Sequence, residues 1–183
     1  MKHYIDIRIK PDAEMRENVL LNKVFTKFHK RLSDLRSTDI GVSFPQYKIM
    51  LGKAIRIHGT EQMLQEMQSS QWLGELNGYC DVSPVQSVPA NVQYRTISRV
   101  QSNMTEAKLR RLINRGSILP DEAKAYKAKM FQKGLDNPYL ELDSNSNGHK
   151  HRRYLKFGEL KSEPVPGVFD QFGLSKTATV PWF

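Results

Sequence analysis

Cys80 is the only cysteine in this 183-residue chain. No internal disulfide can form, and nothing in the cysteine usage requires export. Long apolar runs are missing too: no stretch approaches the ~20 residues needed to cross a bilayer. The start, Met1-Lys2-His3-Tyr4-Ile5-Asp6-Ile7-Arg8, alternates polar and apolar residues, so it reads as a strand and not as a signal peptide. These absences predict a cytoplasmic protein with no membrane partner. A Gly-rich P-loop, HExxH, paired CxxC and G-x-S-x-G are also lacking, which disfavours nucleotide hydrolysis, zinc proteolysis and α/β-hydrolase chemistry.

Acidic residues are the remaining shortage. Asp and Glu number 19 against 28 Lys and Arg, for a net charge of +9. The surplus is concentrated: residues 93–161 hold 15 basic and 7 acidic side chains, whereas residues 1–92 hold 12 and 10. A localised positive field favours a polyanion, above all nucleic acid, because binding releases condensed counterions. The chain is 39% apolar and 26% charged, enough to pack a core.

The periodicity predicts an α+β protein. A strand over residues 4–9 precedes a helix from Glu17 to Leu35, on which Leu21, Val24, Phe25, Phe28, Leu32 and Leu35 recur at helical spacing. Short strands follow at Gly41–Phe44 and Lys53–His58. Thr60 is placed to cap a second helix carrying Met63, Leu64 and Met67. Cys80–Val88 reads as a further strand, with Pro84 marking it as an edge. The order βαββαβ is the ferredoxin-like, RRM-like arrangement. Val88-Pro89-Ala90-Asn91 marks a boundary, giving a ferredoxin-like domain over 1–91 and a smaller α+β domain over 92–183. The second begins with a strand at Tyr94–Gln101. Asn103 and Glu106 then have capping-box spacing ahead of a basic helix, and another helix runs from Pro120 to Gly134.

Three groups of residues bear on function. Lys108, Arg111 and Arg115 stand at i, i+3 and i+7 and share a helix face, with Arg110 and Asn114 beside them. This face suits phosphates or a groove, and equally a solvated amphipathic helix. Arg95, Arg99 and Gln101 have one parity and so fall on one strand face. His29 lies next to Phe28 at the edge of an apolar stripe. It can be a base for a 2′-hydroxyl or a half-buried helix histidine without chemistry. The loop Ser144–Gly148 turns basic at His149-Lys150-His151-Arg152-Arg153, and no third or fourth ligand at metal spacing accompanies its two histidines.

Taken together, His3–Arg8, Ile40–Pro45, Tyr94-Arg95, Ser98–Gln101, Phe172–Lys176 and the terminal Val180-Pro181-Trp182-Phe183 resemble the Csy family, the repeat-processing endoribonucleases of type I-F CRISPR systems. The resemblance spans essentially the whole chain. It implies metal-independent, cofactor-free cleavage of precursor CRISPR RNA at the base of a repeat hairpin. The 2′-hydroxyl attacks the adjacent phosphate, leaving a 2′,3′-cyclic phosphate and a 5′-hydroxyl, and the enzyme stays on the 3′ hairpin of the mature crRNA. It further implies His29 and Ser144 as catalytic residues, Arg99 and Gln101 as readers of bases low in the stem, and an arginine-rich helix bearing Lys108, Arg110, Arg111, Asn114 and Arg115 in the RNA groove. His151 matches an aromatic that stacks by the cut, Arg152 is expected among the RNA-binding side chains near the phosphate, and Phe172, also expected at the RNA, stands where the family often has tyrosine. Other subunits of the type I-F surveillance complex are the implied protein partners. A non-catalytic hairpin-RNA-binding subunit of the same fold is the alternative, and a DNA-binding protein a third class.

Overall fold

The computed structural model describes residues 1–101, 105–132, 136–143 and 150–183. Strand β1 (His3–Ile9) buries Ile5, Ile7 and Ile9 on one face. Helix α1 (Glu17–Leu35) lays Leu21, Val24, Phe25, Phe28 and Leu32 of the expected stripe into the core, adds Leu20, and leaves Leu35 only half-buried at its end. It ends where Arg36 turns left-handed, at φ 49°. Strands β2 (Gly41–Ser43) and β3 (Ala54–Gly59) follow, then α2 (Glu61–Ser69). Thr60 caps α2 by accepting a hydrogen bond from the Met63 amide. The expected strand at 80–88 is two short ones, β4 (Cys80–Val82) and β5 (Gln86–Ser87), both antiparallel to β1. Pro84 between them has no N–H for the ladder, and Ser83 fills the gap by accepting from the Asp6 amide through Oγ.

The sheet order β2-β3-β1-β4, antiparallel throughout, is the ferredoxin-like topology. Every residue of β3 is buried, because both faces of the sheet are covered. The helices pack on the face of Ile5, Ile7, Ile55 and Ile57. The other face, with Tyr4, Asp6, Arg56 and His58, is closed by the chain's own C-terminus. Arg56, 9% exposed, grips the Asp6 carboxylate through Nε and Nη2 at 2.7 and 2.9 Å and donates from Nη1 to the Phe183 main-chain oxygen. Its guanidinium lies 3.9 Å from the Phe183 ring centroid, and that ring meets Tyr4 edge-on. The sheet face through which RRM-like domains stack bases is thus occupied from within.

The expected strand at 94–101 breaks at Thr96. Strand β6 (Gln93–Arg95) pairs with the C-terminal β10 (Val180–Trp182), while β7 (Ile97–Val100) joins β8 (Tyr139–Asp143) and β9 (Lys150–Phe157) in a second sheet of order β7-β9-β8. Helix α3 (Glu106–Asn114) is capped by Thr105, whose side chain accepts from the Lys108 amide; the expected cap, Asn103, lies outside the described residues. Helix α4 (Pro120–Gln132) packs on α3, and the expected stop at Gly134 also lies outside them. Ile97, Leu140, Leu142 and Leu155 belong to the same core as α1, so the core is continuous across residue 91. No helix among the described residues is long and apolar enough to cross a membrane.

Candidate nucleic-acid interface and active site

Phe28 is fully buried on α1, which brings the next residue, His29, to the rim of the core. A tight turn from Asp170 to Leu174 docks there. Asp170 Oδ1 accepts from the amides of Phe172 and Leu174, and the Gly173 carbonyl accepts from the Val42 amide. Gly173 has φ +69°, and a Cβ at this position would sit 3.1 Å from the Phe28 ring, so only glycine lets the turn settle on α1 and β2. The turn holds His29 from two directions. His29 Nδ1 is 2.8 Å from the Gln171 carbonyl oxygen, and its imidazole stacks on Phe172 at 3.7 Å with 9° between planes. A carbonyl only accepts, so Nδ1 carries a proton and Nε2 is the nitrogen able to take one.

The second sheet supplies cations. The registers Ile97↔Phe157, Arg99↔Leu155, Leu140↔Arg153 and Leu142↔His151 place Arg99, His151 and Arg153 on the face that buries Ile97, Leu140, Leu142 and Leu155 against α1. Arg153 stacks on Phe172, its guanidinium carbon 3.4 Å from the ring centroid. Both this distance and that to the His29 ring are one ring thickness, so the two groups occupy opposite faces of the phenyl ring. Burial, then the nearby Arg99 charge, push the Arg153 guanidinium down to about 10 against the pull of Asp170. Arg99 is exposed and lines an open cleft of about 350 Å³ with Phe169, Leu174 and Lys176. Gln101 and His151 are exposed as well.

Other expected residues fall elsewhere. Arg152 lies on the opposite face of β9, where Nε donates to Glu141 at 3.0 Å and the guanidinium covers Tyr139. Arg95 leaves the Arg99 face at the Thr96 break; it donates to the Gly158 carbonyl oxygen and stacks on Trp182. Ser144 and His149 lie outside the described residues. Lys108, Arg110, Arg111, Asn114 and Arg115 are all exposed on or just beyond α3, and none of the four cations pairs with a carboxylate among the described residues. Only Leu109 of α3 is buried, so apart from the side that meets α4 the helix is open to solvent. Charge spacing in the sequence does not distinguish Arg153 from its basic neighbours. Its parity with Leu155 and Phe157 was the available signal, since a core leucine on β9 puts Arg153 and not Arg152 on the inner face. Among the described residues no three His, Cys, Asp or Glu side chains converge as a metal-binding group.

A histidine of fixed tautomer across a phenyl ring from a half-buried arginine, in a chain that also carries a helix with exposed, unpaired cations, suits a protein that meets a polyanion. Residues 4–183 match the family described as CRISPR-associated protein (Cas_Csy4), and the chain belongs to it. It is 38% identical over 184 residues to the CRISPR-associated endonuclease Cas6/Csy4 of Escherichia coli (strain UTI89 / UPEC), and 34% identical over 187 residues to that of Pseudomonas aeruginosa (strain UCBPP-PA14). Each alignment covers all of both chains. A solved CRISPR endoribonuclease Cse3 bound to a 19-nucleotide RNA is a distant likeness, at 14% identity and a TM-score of 0.37 over 99% of this chain and 100% of that one, too distant to bear on the site.

Proposed function

We propose that this chain is a metal-independent endoribonuclease that cuts precursor CRISPR RNA at the base of the repeat hairpin and stays on the crRNA 3′ hairpin. The observation that carries the reading is the His29 tautomer: the Gln171 carbonyl holds the proton on Nδ1 and leaves Nε2 to act as base. In this mechanism Nε2 takes the proton of the 2′-hydroxyl. The 2′-oxygen bonds to phosphorus, the bond to the 5′-oxygen breaks, and the departing oxygen takes a proton from water. Alignment and proton removal are what such an attack needs from a protein. Ser144 holds the ribose, Arg99 and Gln101 meet bases low in the stem, and His151 stacks by the cut. The cations of α3 supply phosphate contacts, and other type I-F subunits are the protein partners. Full-length membership of the family and relatives named endonucleases support the reading.

One experiment tests it. Repeat-hairpin RNA is incubated with the protein in excess chelator, alongside the same RNA with a single 2′-deoxy nucleotide 5′ of the cut. We expect undiminished cleavage of the first and none of the second, with the deoxy hairpin still bound. Activity that needs added magnesium, or cutting of the deoxy substrate, would point to activated water as the nucleophile. Binding without cleavage of either RNA would favour the non-catalytic alternative, to which a buried Phe172 without a hydroxyl lends its one argument.

A further inference from the structure

Three arginines in the two main sheets invite comparison. Arg56 is held by Asp6 with two hydrogen bonds, and Arg152 by Glu141. Arg153, more buried than Arg152, has among the described residues neither a carboxylate partner nor a hydrogen-bond partner for its buried Nε. Asp170 is an opposing charge that acts on it, but its Oδ1 is already engaged by two amides of the turn. The buried Nε is out of an anion's reach, but the guanidinium as a whole is only half-buried, and a cation so placed beside a second one at Arg99 is unfavourable unless an anion meets its accessible edge. Phe172 fixes where that anion must lie, because it holds the guanidinium on one face and the His29 imidazole on the other.

We infer that Arg153 is a catalytic residue whose guanidinium contacts the phosphate at the cut and stabilises the negative charge that develops on its non-bridging oxygens. The inference rests on the proposed function and names a group which that reading leaves open. A phosphate laid over the rim of the site that Phe172 divides meets Arg153 from one side of the ring while the adjacent 2′-hydroxyl meets His29 from the other. As the 2′-oxygen bonds to phosphorus and the bond to the 5′-oxygen breaks, a second negative charge builds on the phosphoryl oxygens. The planar fork of arginine matches two of those oxygens. With its guanidinium already stacked, Arg153 needs little reorganisation as charge develops, the condition under which such donors contribute most. On this view Phe172 replaces no hydroxyl chemistry; it is a spacer that sets base and cation one ring apart.

The test is single-turnover cleavage of the repeat hairpin by wild-type protein, Arg153→Leu, Arg153→Gln and Arg153→Lys, with binding measured on the uncleavable 2′-deoxy hairpin. Arg153→Leu and Arg153→Gln should cut roughly 10²–10³-fold more slowly, while binding weakens by no more than about tenfold, the loss of one phosphate contact. Arg153→Lys keeps the charge without the fork and should fall between. The decisive readout is a phosphorothioate at each non-bridging oxygen of the cut phosphate. Wild-type protein should be slowed more by one diastereomer, and the difference should collapse in Arg153→Gln, which also carries the test if the leucine variant does not fold. Variants that cut within about threefold of wild type, or that keep the wild-type diastereomer preference, overturn the inference and leave His29 in place. A wild-type protein that cuts no repeat hairpin overturns the parent reading and this inference with it.

Discussion

His58 provides a test of the architecture that does not depend on RNA. It is fully buried on β3, with Nε2 2.8 Å from Ser43 Oγ, under the face that Phe183 closes. Burial first, and the Arg56 charge next, hold its imidazole down at about 3, against an ordinary value of 6.5. Between those values the unfolded chain binds a proton there and the folded chain does not. His58 therefore costs no stability above pH ~6.5, and stability falls as pH drops from there toward 3. From pH 7.5 to 4.5 the loss is about two pH units at ~1.4 kcal/mol each, or ~2–3 kcal/mol, a sizeable part of a normal folding free energy. The assay is urea unfolding at both pH values for wild type and for His58→Gln, which can still hydrogen-bond Ser43 but cannot titrate. The wild type should lose ~2–3 kcal/mol more than the variant between the two conditions. Parallel losses would mean that His58 protonates inside the folded chain, and the account of a sealed sheet face would fail.

Two further predictions address the site directly. His29→Ala should slow hairpin cleavage by roughly 10²–10⁴-fold with binding of the deoxy hairpin nearly intact; wild-type rates in single turnover would remove His29 from the chemistry. Replacing Arg111 and Arg115 together by glutamine should weaken hairpin binding and flatten the salt dependence of log K by roughly one to two units, while the single-turnover rate at saturating protein holds; an unchanged slope would take α3 off the RNA.

The parts of the fold carried by local pattern were legible. The α1 stripe, the Thr60 cap and the βαββαβ order follow from spacing that each segment contains within itself, and they stand in the structure as expected. What escaped depends on contacts between distant segments. No periodicity near residue 29 announces a turn 142 residues later that fixes its tautomer. Nor does the run Tyr94–Gln101 reveal that Thr96 divides it between two sheets, because the partners that decide this, β9 and β10, come more than 50 residues further on. At α3 the cap described is Thr105, which accepts from the Lys108 amide; two hydroxyl- or amide-bearing residues precede the same helix-forming run, and spacing alone does not choose between them. Arg153 was legible in principle, through the parity of β9, but only once Leu155 is known to face the core.

The closure of the ferredoxin-like sheet explains why the charge lies where it does. An open sheet would carry its own nucleic-acid contacts, and basic or aromatic side chains would crowd Tyr4, Arg56 and their neighbours. Here those residues are consumed in binding the C-terminus: Arg56 by Asp6 and Phe183, Tyr4 by Phe183 and Gln86. The positive surplus instead falls between residues 93 and 161, on β7, α3, α4 and β9. Within that stretch two environments separate. The cations of α3 stand fully in solvent on a helix that buries one residue, where screening limits each to a modest share of affinity. Arg153 is drawn partly out of water between a phenyl ring and the sheet, where the same charge acts through a lower effective dielectric. The proposed division of labour follows from that difference in solvation: many exposed charges to hold the RNA, and one half-buried charge, across a ring from a histidine of fixed tautomer, to act on it.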